Sequence, residues 1–496
     1  MSKHISKYLH QQMDKETGIS HSQKRTKIVA TVGPASDSFE KLLELAKAGV
    51  NVFRLNFSHG SHENKKTVID SIRKINKSQP FNIAILADLQ GPKLRVGELV
   101  DGQIELMDGG EIIFTTEKTV GDSKKIYVSY RNLTTDVKVG ERIFLDDGKM
   151  EVMVKKILND KEVLVSITLG GTLLQKKGVN LPDSELTMPS LTEKDFIDLD
   201  FIIEQNLDWV ALSFVRKAKD IIELKKIITD KHSKIKVIAK IEMPEALKNI
   251  RDIIVESDGI MVARGDLGVE MPVEQVPIIQ KELIRKSMHR AKPVIVATQM
   301  MESMMDRTKP NRSEVSDVAN AVLEGADAVM LSGETAMGEF PVQVVETMCR
   351  IILEVEKTVY DYNRDDILAP QPHSPSFISD AICYSACKLA QDTNAKALVG
   401  MTQSGYTAFM LSSYRPSAPL YIFSKERSLI GQLSLSWGVR AFYYAEEESL
   451  DDIIFDQINI LKERGYLNAG DVVVNTGSTP VELHLPTNIV KVTTVD

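Results

Sequence analysis

Short apolar runs recur along the chain, spaced so that an amphipathic helix fits between each and the next. The first is Thr26 to Gly33, followed by Val52 to Ser58 and Asn82 to Leu89. Later come Trp209 to Val215, Lys236 to Glu242, Gly259 to Leu267, Pro293 to Gln299 and Ala328 to Thr335. Between the first two, Ser38 to Ala48 carries a helical apolar stripe closed by Gly49. Runs that are apolar throughout suit strands buried on both faces, as in a parallel sheet covered by helices. Eight of them predict a closed (β/α)8 barrel of the TIM type. Polar residues stand at or near the C-terminal ends of these runs: Ser58, Asp88, Ser213, Glu242, Asp266, Thr298 and Glu334. In such barrels that rim carries the chemistry.

From about Gly91 to Met188 the alternation breaks. Short β-like runs (Glu111 to Phe114, Arg142 to Leu145, Glu162 to Ser166) are separated by Asp-Gly and Asn-Asp turns. This predicts an all-β lid domain, residues 91–188, inserted between barrel segments 23–90 and 189–345. Residues 1–22 form a polar N-terminal arm. Beyond Pro341 a helical stretch leads to a linker at Asp365 to Ser376, and strands and helices then alternate again. Residues 346–496 are expected to form a separate α/β regulatory domain.

Composition narrows the function classes. In 496 residues, 43% hydrophobic and 26% charged content are those of an ordinary soluble globular protein. A net charge of −8 gives no general case for nucleic acid, so an anionic ligand must be met by local cations. The three cysteines lie in apolar runs without a metal-binding or disulfide pattern, which fits a reducing compartment. Met1 to Ser22 lacks the apolar core of a signal peptide and no run is long enough to span a bilayer. A cytoplasmic protein is expected.

The rim residues carry the chemistry. Lys240 and Glu242 share one face of an extended strand, and a cation and an anion leaving its apolar end together need a partner. Glu242 and Asp266 could hold one hard divalent cation, which takes oxygen ligands. A buried salt bridge to Lys240 or Arg264 accounts for the same residues. Arg54, Asn56 and Ser58 also share a face. Arg54 suits a phosphate or a structural ion pair, and the two neutral side chains suit a monovalent cation.

RLNFSHG, KIE, MVARGDLG, ATQMMESM and LSGETA occur in this order. KIVATVGPAS stands near the start, and GVNLP and LTEKD precede the fourth barrel run. The ordered set resembles the pyruvate kinase family from about Lys24 to the C-terminus. The resemblance implies phosphoryl transfer from phosphoenolpyruvate to ADP, with Glu242 and Asp266 as ligands of Mg²⁺ or Mn²⁺. Lys240 matches the cation beside the transferring phosphoryl group and the enolate oxygen. Thr298 matches the residue nearest the protonation step, with Ser332 and Glu334 as members of a water relay. Gly265 and Asp266 would open a helix whose N–H groups meet the substrate carboxylate. Arg54, Asn56, His59, Arg95 and Lys177 match positions that meet nucleotide or transferring phosphate. His59 as a turn cap and Ser332 as a local hydrogen bonder remain alternatives. A homotetramer is also implied.

Where the commoner family pattern reads Asp-Thr-Lys-Gly-Pro-Glu-Ile-Arg-Thr-Gly, this chain has Asp88-Leu89-Gln90-Gly91-Pro92-Lys93-Leu94-Arg95-Val96-Gly97. In potassium-requiring members the ion sits near oxygens like those of Asn56, Ser58 and Asp88. Lys93 replaces the nearby Glu, so a tethered ammonium would supply the charge and repel a second cation. The set resembles the potassium-independent branch, and activity without K⁺ is expected; a Lys93 that points to solvent while K⁺ still binds is the alternative. Two further departures are Met243, where many relatives have Asn, and Asp183, where the family's Leu-Pro-Gly has become Leu181-Pro182-Asp183.

In the C-terminal region Thr402, Ser404, Gly405 and Thr407 form a loop resembling the family's effector phosphate loop; an ordinary helix start is the alternative. The later loop Thr476 to Asn488 has no Arg or Lys. That argues against fructose 1,6-bisphosphate and leaves a sugar monophosphate or no effector. Two other functions compete: a metal-dependent lyase or aldolase, and a catalytically silent sensor. The first leaves the nucleotide-matching cations without work, and the second sits poorly with Lys240, Glu242, Asp266 and Thr298 all present.

Overall fold

The computed structural model describes residues 24–358, 369–370, 374–445, 449–480, 483 and 485–496. The N-terminal arm and most of the linker therefore lie outside the described residues.

Eight parallel strands close into a barrel: Lys27–Thr31, Val52–Asn56, Ala84–Asp88, Trp209–Leu212, Lys236–Ile241, Gly259–Ala263, Val294–Ala297 and Ala328–Leu331. The last pairs with the first, Lys27 opposite Ala328. Alternate residues serve two cores. Val29, Val52, Leu86, Trp209, Ile238 and Met261 fill the interior, while Ile28, Phe53, Val210 and Val237 face the helices outside. The helix Phe39–Ala48 starts at Ser38, whose Oγ accepts the Lys41 N–H at 3.2 Å, and stops at Gly49, φ 124°.

Several strands are shorter than their apolar runs. Gly259–Ala263 gives way to the helix Arg264–Glu270 and Ala328–Leu331 to Gly333–Ala336. After Ala297, Thr298 and Gln299 turn into left-handed backbone, φ 69° and 54°. At the rim the chain must leave the sheet, and hydropathy does not register that.

The inserted domain expected to act as a lid holds a six-stranded and a two-stranded sheet between the third and fourth barrel strands, with one short α-helix, Leu133–Asp136. It has its own apolar core, including Phe114, Ile143, Val152 and Val165. The C-terminal domain is a five-stranded sheet whose edge strand Ile489–Thr494 runs antiparallel. The helix Pro341–Glu356 spans the boundary expected at residue 345 and packs Val344, Met348 and Ile352 into the barrel's outer core.

One buried ion pair ties the C-terminal domain to the barrel. Arg415 Nη2 lies 2.9 Å from Asp327 Oδ2, with the side chains 1% and 5% exposed. Asp327 also accepts the backbone N–H groups of Val294 and Trp437. Arg415→Ala would strand this carboxylate and lower stability by about 3–5 kcal/mol. Chemical denaturation followed by near-UV circular dichroism checks this. Pairing the change with Asp327→Asn should recover part of the loss.

Candidate active site

In four of the strands the interior row ends in a polar side chain, and these ends converge. Val52 is followed two positions on by Arg54, Leu86 by Asp88, Ala211 by Ser213 and Ile238 by Lys240. Barrel closure places Asp88 beside Asn56 on one neighbouring strand and Ala211 on the other.

Asp88 is the hub. Its Oδ2 accepts Arg54 Nε at 2.7 Å and pairs with Nη2 at 2.6 Å, while its Oδ1 lies 3.2 Å from Lys240 Nζ. Lys240 also pairs with Glu242 Oε1 at 2.8 Å and donates to Ser213 Oγ at 2.7 Å. Arg54 Nη1 donates to Thr31 Oγ1 at 3.0 Å. Burial raises the Asp88 pKa, but Lys240 and Arg54 outweigh it and hold the carboxyl below the usual range. Burial works against charge on Lys240, and Asp88 and Glu242 outweigh it, so the ammonium holds its proton more tightly than an ordinary lysine. Lys240 is a fixed cation.

Glu242 is 2% exposed, and its second oxygen accepts the Phe214 N–H at 2.8 Å. The left-handed backbone at Phe214, φ 55°, accompanies that contact. Burial pushes the Glu242 carboxyl up; Lys240 pulls it down, and Asp266 adds to the rise. Asp266 sits half-buried in the first turn of Arg264–Glu270 and has no ion pair among the described residues. An uncompensated carboxylate beside a buried one fits a hard cation. No group of three or more His, Cys, Asp or Glu ligands gathers among the described residues. An ion here would take these two carboxylates and complete its shell with substrate and water oxygens. The salt bridge to Lys240 exists as well; Arg264 points elsewhere, to Asp317 at 2.6 Å.

Thr298 and Gly265 come together. The Gly265 N–H donates to Thr298 Oγ1 at 2.7 Å, and that hydroxyl donates to the Ala297 carbonyl at 2.6 Å. A Cβ at Gly265 would meet Thr298 Oγ1 at 3.3 Å, so a side chain there would press on the threonine. The Ser332 N–H donates to Glu334 Oε2 at 2.7 Å, and burial raises the Glu334 pKa.

The other candidates are more dispersed. Asn56 Oδ1 accepts the Ser58 N–H at 3.0 Å, and exposed His59 offers its carbonyl to Lys65. Arg95 donates to the Lys176 carbonyl at 2.9 Å within the lid, and Lys177 pairs with Asp146 at 2.9 Å. Lys93 is exposed and lines a cleft between lid and barrel with Asp147, Asn180, Met243, Asp266 and Glu270. The ion-pair partners of Asp88 are Arg54 and Lys240; Lys93 is not among them. Met243 is buried in that cleft wall. Thr402, Ser404, Gly405 and Thr407 lie apart from the barrel site. Thr402 Oγ1 accepts the Gly405 N–H at 3.0 Å, and Thr407 Oγ1 lies 2.6 Å from Thr487 Oγ1. Ser404 Oγ accepts the Tyr406 N–H at 3.3 Å. Thr402, Ser404 and Thr407 border a cleft of about 860 Å³.

A family model described as pyruvate kinase, barrel domain, matches residues 23–345. The chain belongs to the pyruvate kinase family. A second model, pyruvate kinase, alpha/beta domain, matches residues 380–493. The chain is 42% identical to pyruvate kinase of Geobacillus stearothermophilus over 475 residues, 95% of this chain and 80% of that one. It is 42% identical to that of Staphylococcus aureus (strain USA300) over 471 residues, with the same coverage. A crystal structure of a pyruvate kinase from Cryptosporidium parvum superposes with a TM-score of 0.89 at 34% identity, covering 97% of this chain and 99% of that one. The protein is thus a phosphotransferase of this family, with the family's barrel, β and α/β domains. Among the described residues no helix is long and apolar enough to cross a membrane.

Three contacts were missed in the sequence: Thr31 on Arg54, Phe214 N–H on Glu242, and Asn180 on Glu270 at 2.6 Å. The polar end of an apolar run could have flagged Thr31. The Phe214 contact depends on backbone conformation alone.

Proposed function

We propose that this site transfers the phosphoryl group of phosphoenolpyruvate to ADP, using a divalent cation held by Glu242 and Asp266. The observation that carries the reading is Lys240, a cation 12% exposed and fixed between Asp88 and Glu242 at the barrel rim. Its ammonium meets the transferring phosphoryl oxygens and the enolate oxygen left behind, where negative charge develops. Arg54, held by Asp88, aligns the phosphoryl group. A divalent cation, Mg²⁺ or Mn²⁺, supplies Lewis-acid neutralisation of substrate oxygens when bound. Gly265 and Asp266 orient the substrate carboxylate. Thr298 stands beside Gly265 on the side where the enolate carbon takes its proton, by way of water and the Ser332–Glu334 pair. Asn56, His59, Arg95 and Lys177 meet the nucleotide, the last two carried by the lid.

The tethered ammonium of Lys93 takes the place of K⁺ near Asn56, Ser58 and Asp88, as in the potassium-independent branch. The Leu89, Gln90, Lys93 and Val96 set supports this, with Lys93 five residues beyond Asp88. The test is pyruvate formation from phosphoenolpyruvate and ADP with Mg²⁺ in tetramethylammonium buffer, with and without K⁺. Strong turnover in both is expected. Lys93→Glu should lose about tenfold to a hundredfold without K⁺ and regain much of it when K⁺ is added. Activity of the unaltered enzyme only with K⁺ keeps the transferase and sinks the Lys93 reading.

The cleft at residues 402–407 is a candidate for a sugar monophosphate, supported by its hydroxyls and the lack of Arg or Lys in residues 476–488. A homotetramer with contacts through barrel and C-terminal domains follows from the family resemblance. Free cysteines, two of them buried, fit a cytoplasmic setting.

A further inference from the structure

Asn180 Nδ2, on the lid, donates to Glu270 Oε1, on the barrel, at 2.6 Å. Glu270 is 7% exposed, and its other oxygen is buried without a hydrogen-bond partner among the described residues. Burial pushes this carboxyl up to about 7; the Asn180 bond opposes the rise, and Asp266 adds to it. A half-satisfied buried carboxylate is costly, so its placement calls for a use.

Its neighbours suggest one. Glu270 closes the helix whose first turn holds Gly265 and Asp266. Asn180 lies three residues beyond Lys177 and ends the two-residue strand Val179–Asn180. That strand pairs with Arg142–Leu145, Asn180 opposite Phe144, and the Val179 N–H also donates to the Leu94 carbonyl at 3.1 Å, so the backbone up to Asn180 is held within the inserted domain.

Asp183 adds a second hold, beyond Asn180. It accepts Arg142 Nε at 3.0 Å and the Arg142 backbone N–H at 3.1 Å through one oxygen, and Nη2 at 2.9 Å through the other. The glycine of the commoner family pattern could not do this. In this chain the segment after Lys177 is therefore fastened at both faces, to the lid through Asp183 and to the barrel through Asn180.

We propose that the Asn180–Glu270 hydrogen bond, braced by Asp183 on Arg142, is a latch that sets the position of the lid-borne Lys177 over Asp266. Asn180, Glu270 and Asp183 are positioning residues, and their role rests on the phosphoryl-transfer reading above. Lys177 swings from its ion pair with Asp146 to the nucleotide only when the segment behind it is fixed.

The experiment uses the full chain and the variants Asn180→Ala, Glu270→Ala, Glu270→Gln, Asp183→Gly and the Asn180→Ala/Glu270→Ala pair. Steady-state kinetics are read with ADP and phosphoenolpyruvate each varied, and hydrogen exchange is followed in residues 171–188 without substrates. Asn180→Ala and Glu270→Ala should each raise KM for ADP about tenfold and leave KM for phosphoenolpyruvate within about twofold. The double variant should be no worse than the poorer single one, because both changes break the same bond. Glu270→Gln keeps an acceptor and should stay within about threefold of the unaltered enzyme. Asp183→Gly should speed exchange in the segment and raise KM for ADP. Additive losses, or equal losses for both substrates, overturn the latch. If the unaltered enzyme fails to turn over these substrates, the functional reading fails by itself. Exchange then still decides: unchanged rates in Asn180→Ala and Glu270→Ala reject the latch.

Discussion

Replacing Lys240 with methionine lowers turnover of phosphoenolpyruvate about a thousandfold or more while the fold persists. Methionine keeps an unbranched side chain of similar length in the barrel interior above Ile238 but removes the one charge held within 3.2 Å of both Asp88 and Glu242. In the ground state that ammonium is already neutralised by carboxylates. On the proposed reading its value to the reaction lies in the transition state, when charge would move onto the substrate's bridging oxygen. Loss should therefore fall on kcat more than on KM. Lys240→Arg keeps the charge but should recover little, because a planar guanidinium cannot stand where a compact ammonium meets Ser213 Oγ at 2.7 Å. Rapid-quench measurement of phosphoryl transfer, with circular dichroism to check folding, decides the matter. Turnover within about tenfold of the unaltered enzyme would remove Lys240 from the chemistry.

The same residue shows how far a sequence can be read. Val237 to Glu242 reveals a buried strand with a charged end, because period-two geometry acts within one strand. The partner Asp88 lies on another strand, and the two meet only because the barrel closes with a particular register. Residue patterns gave the eight strands and the inserted lid, since Asp-Gly turns and apolar runs are local signals. They did not give the points where strands end, where Phe214 and Thr298 adopt left-handed backbone to aim an N–H or a hydroxyl. Gly265 was expected to offer its N–H to substrate, and in the structure that N–H donates to Thr298 Oγ1. The Asn180–Glu270 contact joins residues 90 apart in sequence across two domains, beyond the reach of periodicity. Ordered motifs supplied what local patterns lacked, because they carry the outcome of folding together with its causes.

The two carboxylates of the site separate the metal reading from the salt-bridge reading, because only one of them has an ion pair. Glu242 is bound to Lys240, so Glu242→Gln disturbs that pair whatever else it does. Asp266 has no such partner among the described residues. Asp266→Asn should leave the unfolding midpoint nearly unchanged, since no buried cation is stranded. It should nonetheless weaken Mn²⁺ binding about a hundredfold, read by electron paramagnetic resonance without substrates, and cut turnover about a thousandfold. Glu242→Gln should weaken Mn²⁺ binding to a similar degree and also lower stability. If Mn²⁺ affinity survives both changes, the carboxylates serve Lys240 and the loop alone. If it falls in both but stability falls only in Glu242→Gln, one buried glutamate holds the catalytic lysine and the metal together. The raised Glu242 pKa then reflects first the burial of a carboxyl and only secondly its neighbour Asp266, both of which a bound cation would offset.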